Sequence, residues 1–288
     1  MRIEAYHRPA SLAEVFRLLR EDGEARLVAG GTDLLVRRGA PARTLISLRG
    51  VVELRGIGIR DTGIGGVGIR GIGAATPVAD LASHPDLAAH YPVLVQAARR
   101  LGSEQIRSVA TLGGNLCRAA PCADLAPPLL VLEARAAIQG PQGTREVGVE
   151  DFFTGPGETC LGPGEVLTAV HLDPPRPGAV GLFLKKGRVR MDLSIASVAL
   201  LLEADGGRCR RIRIAAGSVA PRPIRLREVE ALLEGALLDG PRLEEAARLA
   251  SATVAPITDI RSTEAYRRHV VGVYVRRAIE RILAGDLS

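Results

Sequence analysis

The sequence lacks tryptophan, and aromatic residues make up only 3% of its 288 positions. A surface that binds nucleic acid usually places aromatic side chains among clustered basic residues, so that bases can stack on them. The formal net charge of +6, from 38 basic and 32 acidic residues, has few aromatic neighbours here. We interpret the basic excess as a solvated surface or a patch for an acidic ligand or subunit, and we expect no nucleic-acid partner.

Long apolar segments are also missing. No apolar run approaches the roughly 18 residues that a membrane-spanning helix needs. The N-terminal residues Met1 to Tyr6 lack the apolar stretch of a secretory signal peptide. We therefore expect a cytoplasmic protein without a membrane span.

Cysteine and histidine are too few and too scattered to indicate a metal site. The four cysteines form no Cys-x-x-Cys pair, and the five histidines show no His-x-x-x-His spacing. A reducing compartment also disfavours disulfides. We expect buried or incidental thiols and no metal, and no nucleophile with a neighbouring base is evident, so the catalytic residues are unassigned.

The most informative stretch begins at Arg26, where the apolar run Leu27-Val28-Ala29 meets Gly30-Gly31 and then polar residues. A strand that ends on such a turn can leave backbone N–H groups facing one point, and glycine lets a ligand approach closely. Because exposed N–H groups attract negative charge, this first glycine loop is predicted to hold a phosphate. Thr32 and Asp33 could instead serve only as helix caps.

A second glycine loop, Thr111-Leu112-Gly113-Gly114-Asn115, repeats the pattern and is followed by Asp124. Two such loops could clamp a two-phosphate ligand from opposite sides. A Gly-Gly pair taken alone is usually a plain turn, so the prediction requires both loops to share one cleft. Asp124 could also be the N-cap of a helix predicted from Leu125 to Ala134.

Sequence patterns divide the N-terminal half into short strands and helices. Strands are predicted at residues 3–6, 26–29, 45–48 and 166–172, and at 56–60 and 67–73 as a hairpin around Asp61-Thr62-Gly63. Helices are predicted from a Ser11 cap to Leu19, from a Thr76 cap with Pro77 in the first position, and over 88–101 with Gly102 as the stop. We expect 141–164 to be a surface loop with one helical turn near 149–153.

The proline-rich segment Asp173 to Gly178 is predicted to be the main domain boundary. Three strands are predicted after it, at 181–185, 194–203 and 209–216, with a hairpin turn at Ala204-Asp205-Gly206-Gly207. Three helices are then predicted at 226–234, 243–254 and 263–283. Strands followed by helices indicate an α+β domain.

With these features in place, the chain resembles the FAD-binding subunit of the molybdenum hydroxylases, such as xanthine dehydrogenase and carbon monoxide dehydrogenase. The likeness covers nearly the whole chain and includes residues 217–223 and 261–268. It implies an α+β fold with a two-lobed FAD-binding domain of the PCMH type over 1–174. A smaller α+β domain of the carbon monoxide dehydrogenase flavoprotein C-terminal type, with a three-stranded antiparallel sheet and helices, would occupy 179–288.

The resemblance implies FAD contacts along both glycine loops and at a few distant positions. The implied residues are Arg26, Leu27, Val28, Ala29, Gly30, Gly31, Thr32, Asp33, Thr76, Leu101, Thr111, Leu112, Gly113, Gly114, Asn115, Asp124, Leu167 and Lys185. In the family pattern, Asp124 lies near the ribityl chain and Lys185 lies beside the isoalloxazine ring. The spacing around Lys185 is slightly shorter than in that pattern, so Lys186 is an alternative.

The function implied by the resemblance is electron transfer within a multi-subunit molybdenum hydroxylase. The partners would be an iron–sulfur subunit and a molybdopterin-binding large subunit, with electrons passing through FAD to NAD or another acceptor. One alternative is a stand-alone FAD-dependent oxidoreductase of the same fold. Another is a non-catalytic interaction subunit in which the glycine loops are only turns.

Overall fold

The computed structural model describes residues 3–34, 43–61 and 67–287. Its elements form three α+β units that follow one another along the chain. The strands are β1 Ala5–His7, β2 Arg26–Val28, β3 Thr44–Ser47, β4 Ile57–Asp61, β5 Val67–Gly73, β6 Arg135–Gly140, β7 Gly143–Gly148, β8 Phe153–Gly155, β9 Glu158–Thr159, β10 Val166–His171, β11 Ala179–Lys186, β12 Ala196–Asp205, β13 Arg208–Gly217 and β14 Ile224–Arg225. The helices are α1 Leu12–Glu21, α2 Val78–Ser83, α3 Pro85–His90, α4 Pro92–Arg100, α5 Glu104–Val109, α6 Leu112–Cys117, α7 Ala126–Val131, α8 Val149–Phe152, α9 Arg227–Leu233, α10 Gly240–Thr253 and α11 Glu264–Leu283.

The first unit is a small parallel sheet, in the order β1-β3-β2, packed against α1. Ser11 caps α1 as predicted, because its side chain accepts the N–H of Glu14 at 3.3 Å. Val15 of α1 is buried in the same cluster as Ile46 of β3. Strand β2 ends at Val28, and the first glycine loop follows it directly.

The second unit is an antiparallel five-stranded sheet in the order β4-β5-β10-β6-β7. Its core includes Ile72 of β5, Ile138 of β6 and Val170 of β10, together with apolar side chains of α2, α4, α6 and α7. The second glycine loop opens α6, since Thr111 is its N-cap residue. The helices of this unit thus place the second loop.

The third unit is a four-stranded antiparallel sheet, β11-β12-β13-β14, with both faces covered. Leu200 and Ile214 share a cluster with the helices α9 to α11, whereas Ala199 and Ala215 share a cluster with α4 and α7. Burial on both faces explains the nearly unbroken apolar run in β12. The second and third units consequently share a core.

The predicted α+β architecture is confirmed in the C-terminal half. Its three predicted strands and three helices are present, and Gly206 and Gly207 both have positive φ in the predicted hairpin turn. The sheet gains one more strand, the two-residue β14, which local patterning did not reveal. Such a short strand carries too few residues for a detectable alternation.

Two details of the helix predictions in the N-terminal half are wrong, namely the continuity of one helix and the cap of another. The helix predicted over 88–101 is broken at Tyr91, because Pro92 disfavours helical backbone at the residue before it. Thr76 caps no helix. Its hydroxyl instead bonds to both the N–H and the carbonyl of Gly56, at 3.0 and 3.1 Å, and α2 begins at Val78.

The surface loop predicted over 141–164 is also wrong for much of its length. Residues 143–148 form β7, which pairs with the unpredicted β6, and two short strands follow α8. Strand β7 reads Gly-Thr-Arg-Glu-Val-Gly and lies at the edge of the sheet, so it lacks the apolar alternation that marks a strand. The helical turn predicted near 149–153 is confirmed as α8. Thr62 and Gly63 of the hairpin turn predicted between β4 and β5 lie outside the described residues.

Candidate functional site

A cleft of about 590 Å³ opens between the first unit and the helices of the second. This volume is within the range of small-molecule sites, about 300–1,000 Å³. The predicted site residues that line it are Arg26, Leu27, Val28, Ala29, Gly30, Gly31, Thr32, Asp33, Leu101, Thr111, Gly114, Asn115 and Asp124. Gly30 and Gly114 thus share one cleft, although they are far apart in the chain.

The two glycine loops approach each other closely at Gly30. A Cβ atom placed on Gly30 would lie 2.0 Å from the carbonyl oxygen of Val109, just before the second loop. Gly31 has a φ of +70°, in the left-handed region that side chains disfavour. Both glycines are therefore required by backbone packing and conformation, independently of any ligand.

The first glycine loop presents unpaired N–H groups. Within the described part of the chain, the backbone N–H groups of Gly30, Gly31, Thr32 and Asp33 have no hydrogen-bond acceptor. These residues line the cleft. Successive free amides at a turn favour a negatively charged group, as the sequence predicts for this loop.

The second glycine loop differs, because its amides from Leu112 to Asn115 are already used within the protein. Leu112 N–H donates to Thr76 at 3.1 Å and Gly113 N–H to Ala74 at 2.7 Å. Gly114 N–H donates to the Thr111 hydroxyl at 3.0 Å. The expectation that amides of both loops could clamp a ligand is therefore wrong for Leu112 to Asn115, whereas the Thr111 N–H has no acceptor among the described residues. The loop could contact a ligand through the Thr111 N–H and through side chains such as that of Asn115.

Asn115 and Asp124 supply the polar side chains on this side of the cleft. The Asn115 side-chain oxygen accepts the N–H of Leu125 at 3.3 Å, which leaves its amide NH₂ group as the available donor. Asp124 does not cap α7, because Leu125 is the N-cap residue and no side chain caps that helix. The helix-cap interpretation of Asp124 is therefore wrong.

Asp124 instead forms a buried ion pair with Lys185. The Lys185 ammonium lies 2.7 Å from Asp124 Oδ2 and also donates to the carbonyl of Arg100 at 3.1 Å. The other carboxylate oxygen, Oδ1, is buried without a partner among the described residues. Burial raises the pKa of Asp124 to about 6, against the opposing effect of the Lys185 ammonium. This orphaned acceptor suits a ligand hydroxyl.

Five predicted site residues do not line the cleft: Thr76, Leu112, Gly113, Leu167 and Lys185. Leu112 and Leu167 are buried in the core, and a Cβ on Gly113 would lie 2.7 Å from that of Ala74. Lys185 reaches the site only through Asp124. It is nevertheless Lys185, and not Lys186, whose ammonium forms this ion pair.

Sequence patterns missed several lining residues. They include Ile106, Cys117, Arg118, Cys122, Gly157, Met191, Asp192 and Leu193. Arg118 matters most, because its Nε donates to the carboxylate of Asp33 and so connects the segment after α6 with the first loop. No local signal could reveal a pair whose members lie in different units of the fold.

The described residues place two further limits on the site. Among them, no group of three or more His, Cys, Asp or Glu side chains could hold a metal ion. No helix in the described ranges is long and apolar enough to cross a membrane. All four cysteines of the chain are free thiols.

Among the described residues, amides without acceptors on one wall and a buried carboxylate oxygen without a donor on another define a binding protein for an anionic ligand that also carries hydroxyl groups. FAD, with its diphosphate and its ribityl and ribose hydroxyls, fits these donors and acceptors.

Comparisons with known proteins agree with this class. Residues 1–175 match the family model of the FAD-binding domain in molybdopterin dehydrogenase, and residues 183–282 match the CO dehydrogenase flavoprotein C-terminal domain. The chain is 34% identical over 285 residues to the xanthine dehydrogenase FAD-binding subunit of Escherichia coli, covering 97% of this chain and 96% of that one. It is 36% identical over 283 residues to the carbon monoxide dehydrogenase medium chain of Afipia carboxidovorans, again covering 97% and 96%.

The fold comparison gives the same result. Carbon monoxide dehydrogenase from Hydrogenophaga pseudoflava matches with a TM-score of 0.91 and 33% identity, covering 99% of this chain and 98% of that one. The chain therefore belongs to the family of FAD-binding subunits of molybdenum hydroxylases. The predicted family, fold class and cofactor, FAD, and the prediction of an oxidoreductase subunit, are confirmed at this level.

Proposed function

We propose that this chain holds FAD in the cleft between its first and second units and carries electrons within a multi-subunit molybdenum hydroxylase. The observation that carries the proposal is the pairing of free amides on Gly30 to Asp33 with the orphaned Asp124 Oδ1 in one cleft. The first suits a diphosphate and the second a hydroxyl group. FAD would supply the reversible electron uptake.

The proposed contacts follow from the donors and acceptors that remain. The amides of the first loop would hold the diphosphate, and Asn115 would donate from its NH₂ group. Asp124 would accept a ligand hydroxyl through Oδ1, while Lys185 holds Oδ2 and so fixes the orientation of the carboxylate. Thr76, Leu112, Gly113, Leu167 and Lys185 would support these contacts from behind the cleft wall.

The proposed partners are an iron–sulfur subunit and a molybdopterin-binding large subunit, from which electrons would pass through FAD to NAD or another acceptor. The relatives named as a medium chain and an FAD-binding subunit support an assembly of this type. We also propose a domain boundary at Asp173–Gly178, between β10 and β11, and a cytoplasmic location, which the four free thiols support.

Flavin content of the purified full chain tests the proposal. We expect flavin absorbance at about one FAD per chain, because one cleft carries both the free amides and the orphaned oxygen. An FAD-free chain that also fails to bind added FAD would refute the proposal and favour a non-catalytic interaction subunit.

Reduction assays separate the two enzymatic alternatives. An electron-transfer subunit should keep its flavin oxidised when mixed with candidate substrates alone, and should be reduced only when the partner chains are added. Direct reduction of the flavin in the isolated chain by a substrate would instead support a stand-alone oxidoreductase.

A further inference from the structure

Arg118 occupies a fixed position at the edge of the cleft. It follows the last residue of α6, and its backbone N–H donates to the carbonyl of Gly114 at 3.1 Å. The next residue, Ala119, is buried and left-handed, with a φ of 46°, and its carbonyl accepts the N–H of Gly157 at 2.8 Å. A left-handed residue after a helix turns the chain sharply away. The backbone of Arg118 is thereby held on both sides.

The side chain of Arg118 reaches from this position to the first glycine loop. Its Nε donates to Oδ2 of Asp33, and both residues line the cleft. The two terminal NH₂ groups of the guanidinium have no acceptor within the described part of the chain. Arg118 is partly shielded, with 29% of its side chain exposed.

Within the described residues, the unpaired NH₂ groups of Arg118 therefore lie beside the loop that carries the unpaired backbone amides. Asp33 belongs to the loop whose amides, from Gly30 to Asp33, have no acceptor in the ranges that the structure describes. An anion held by those amides would therefore lie close to the guanidinium that Asp33 holds. The second glycine loop offers few amides there, because those of Leu112, Gly113 and Gly114 donate within the protein.

Other charged residues of the cleft are less suited to this role. Asp124 is held by Lys185, and Asp192 by Arg188 at 2.6 Å. Arg26 also lines the cleft, but it starts β2 and has no carboxylate partner among the described residues that would fix its orientation. Arg118 is both oriented and supplied with free donors.

We propose that Arg118 provides the second half of the diphosphate clamp, beside the amides of the first loop, and that Asp33 acts as its positioning residue. This inference rests on the proposed binding of FAD. Guanidinium groups bind phosphate oxygens through two parallel hydrogen bonds, whereas an ammonium acts as a single point charge. Binding through the terminal NH₂ groups leaves Nε bonded to Asp33, so the ion pair need not break.

The test is the dissociation constant of FAD and of riboflavin for the flavin-free full chain, measured by flavin fluorescence. We expect Arg118→Gln to weaken FAD binding about 10- to 100-fold, the size of a hydrogen bond to a charged group. Riboflavin affinity should stay unchanged, because riboflavin has no diphosphate. Arg118→Lys should recover only part of the loss, since the lysine ammonium keeps the charge but lacks the planar fork that binds two phosphate oxygens in parallel.

Asp33 variants test the positioning role. Asp33→Asn keeps an acceptor for Nε and should cost little FAD affinity, whereas Asp33→Ala should weaken FAD binding by several-fold. Arg242→Gln, which removes an arginine from α10 outside the cleft, is the matched control for the change in charge. Circular dichroism checks that each variant is folded.

The outcomes are distinguishable. If the wild-type chain binds no FAD, the proposed function itself fails, and this inference with it. If the wild type binds FAD and Arg118→Gln binds it equally well, only the role of Arg118 is overturned. Equal losses for FAD and riboflavin would also overturn it, because the effect would then not depend on the diphosphate.

Discussion

Gly30 is the residue at which the contact between the two glycine loops can be tested most directly. In Gly30→Ala the new Cβ would lie 2.0 Å from the carbonyl oxygen of Val109, and real Cβ contacts are not found below 3.0 Å. The loops must therefore separate by about 1 Å. Overpacking of this kind typically costs about 1–3 kcal/mol. Separation would also move the free amides away from the opposite wall of the cleft.

Thermal unfolding and FAD titration measure the two consequences. We expect Gly30→Ala to lower Tm by several degrees, since about 1 kcal/mol corresponds to roughly 2–4 °C in a protein of this size class. We expect FAD affinity to fall at the same time. Gly23→Ala is the matched control, because Gly23 lies in the same unit, in ordinary backbone conformation, and its Cβ would meet nothing within 4 Å.

The result that refutes this reasoning is a Gly30→Ala chain with the Tm and FAD affinity of the wild type. It would mean that the loops are not in contact at Gly30. A lower Tm with unchanged FAD affinity would support the contact between the loops but would show that this contact does not matter for FAD binding.

Three further predictions concern the polar groups around the cleft. Lys185→Met should lower the free energy of unfolding, measured with urea, by about 3–5 kcal/mol, because it leaves the buried Asp124 carboxylate without its cation. Lys186→Met is the control. A decrease below about 1 kcal/mol for Lys185→Met would contradict the buried pair. The pKa of Asp124 is about 6, above its ordinary value of 3.8, so the stability this carboxyl contributes is present below pH 3.8 and is lost as pH rises through about 6. The free energy of unfolding of the wild type should accordingly fall by about 3 kcal/mol, relative to that of Asp124→Asn, between about pH 4 and pH 7. If the two free energies changed in parallel with pH, the raised pKa would be contradicted. Thr111→Val removes the hydroxyl that accepts the Gly114 N–H and should lower the free energy of unfolding by about 1 kcal/mol in the same assay. Thr111→Ser keeps the hydroxyl and should keep the wild-type stability. An equal decrease in both variants would indicate a packing effect instead.

Local signals explain which elements could be predicted. The Ser11 cap, the Gly206-Gly207 turn and the apolar face of α11 each depend on residues within a few positions of one another. The first glycine loop was predictable for the same reason, since its chemistry comes from its own backbone. The break at Pro92 was also local, but the helical periodicity around it masked the proline signal.

Contacts between distant segments explain the rest. Whether a glycine loop offers free amides depends on the carbonyls packed against it, and those of Thr76 and Ala74 accept the amides of Leu112 and Gly113 in the second loop. The groups that remain free on the opposite wall of the cleft likewise depend on which distant segments pack there. Asp124 resembled a helix cap in sequence and became a buried ion-pair partner because β11 brings Lys185 to it.

The sequence by itself determined the strands and helices of the α+β C-terminal half and the two glycine loops, because residue spacing and backbone preference act over short distances along the chain, and its motifs carried the resemblance to the family. The tertiary structure alone decided which donors and acceptors remain free in the cleft. It pairs the second-loop amides with carbonyls of the second unit and turns the guanidinium of Arg118 toward Asp33. Hydrogen-bonding capacity is used up by whatever packs nearby, and only the folded chain determines those neighbours.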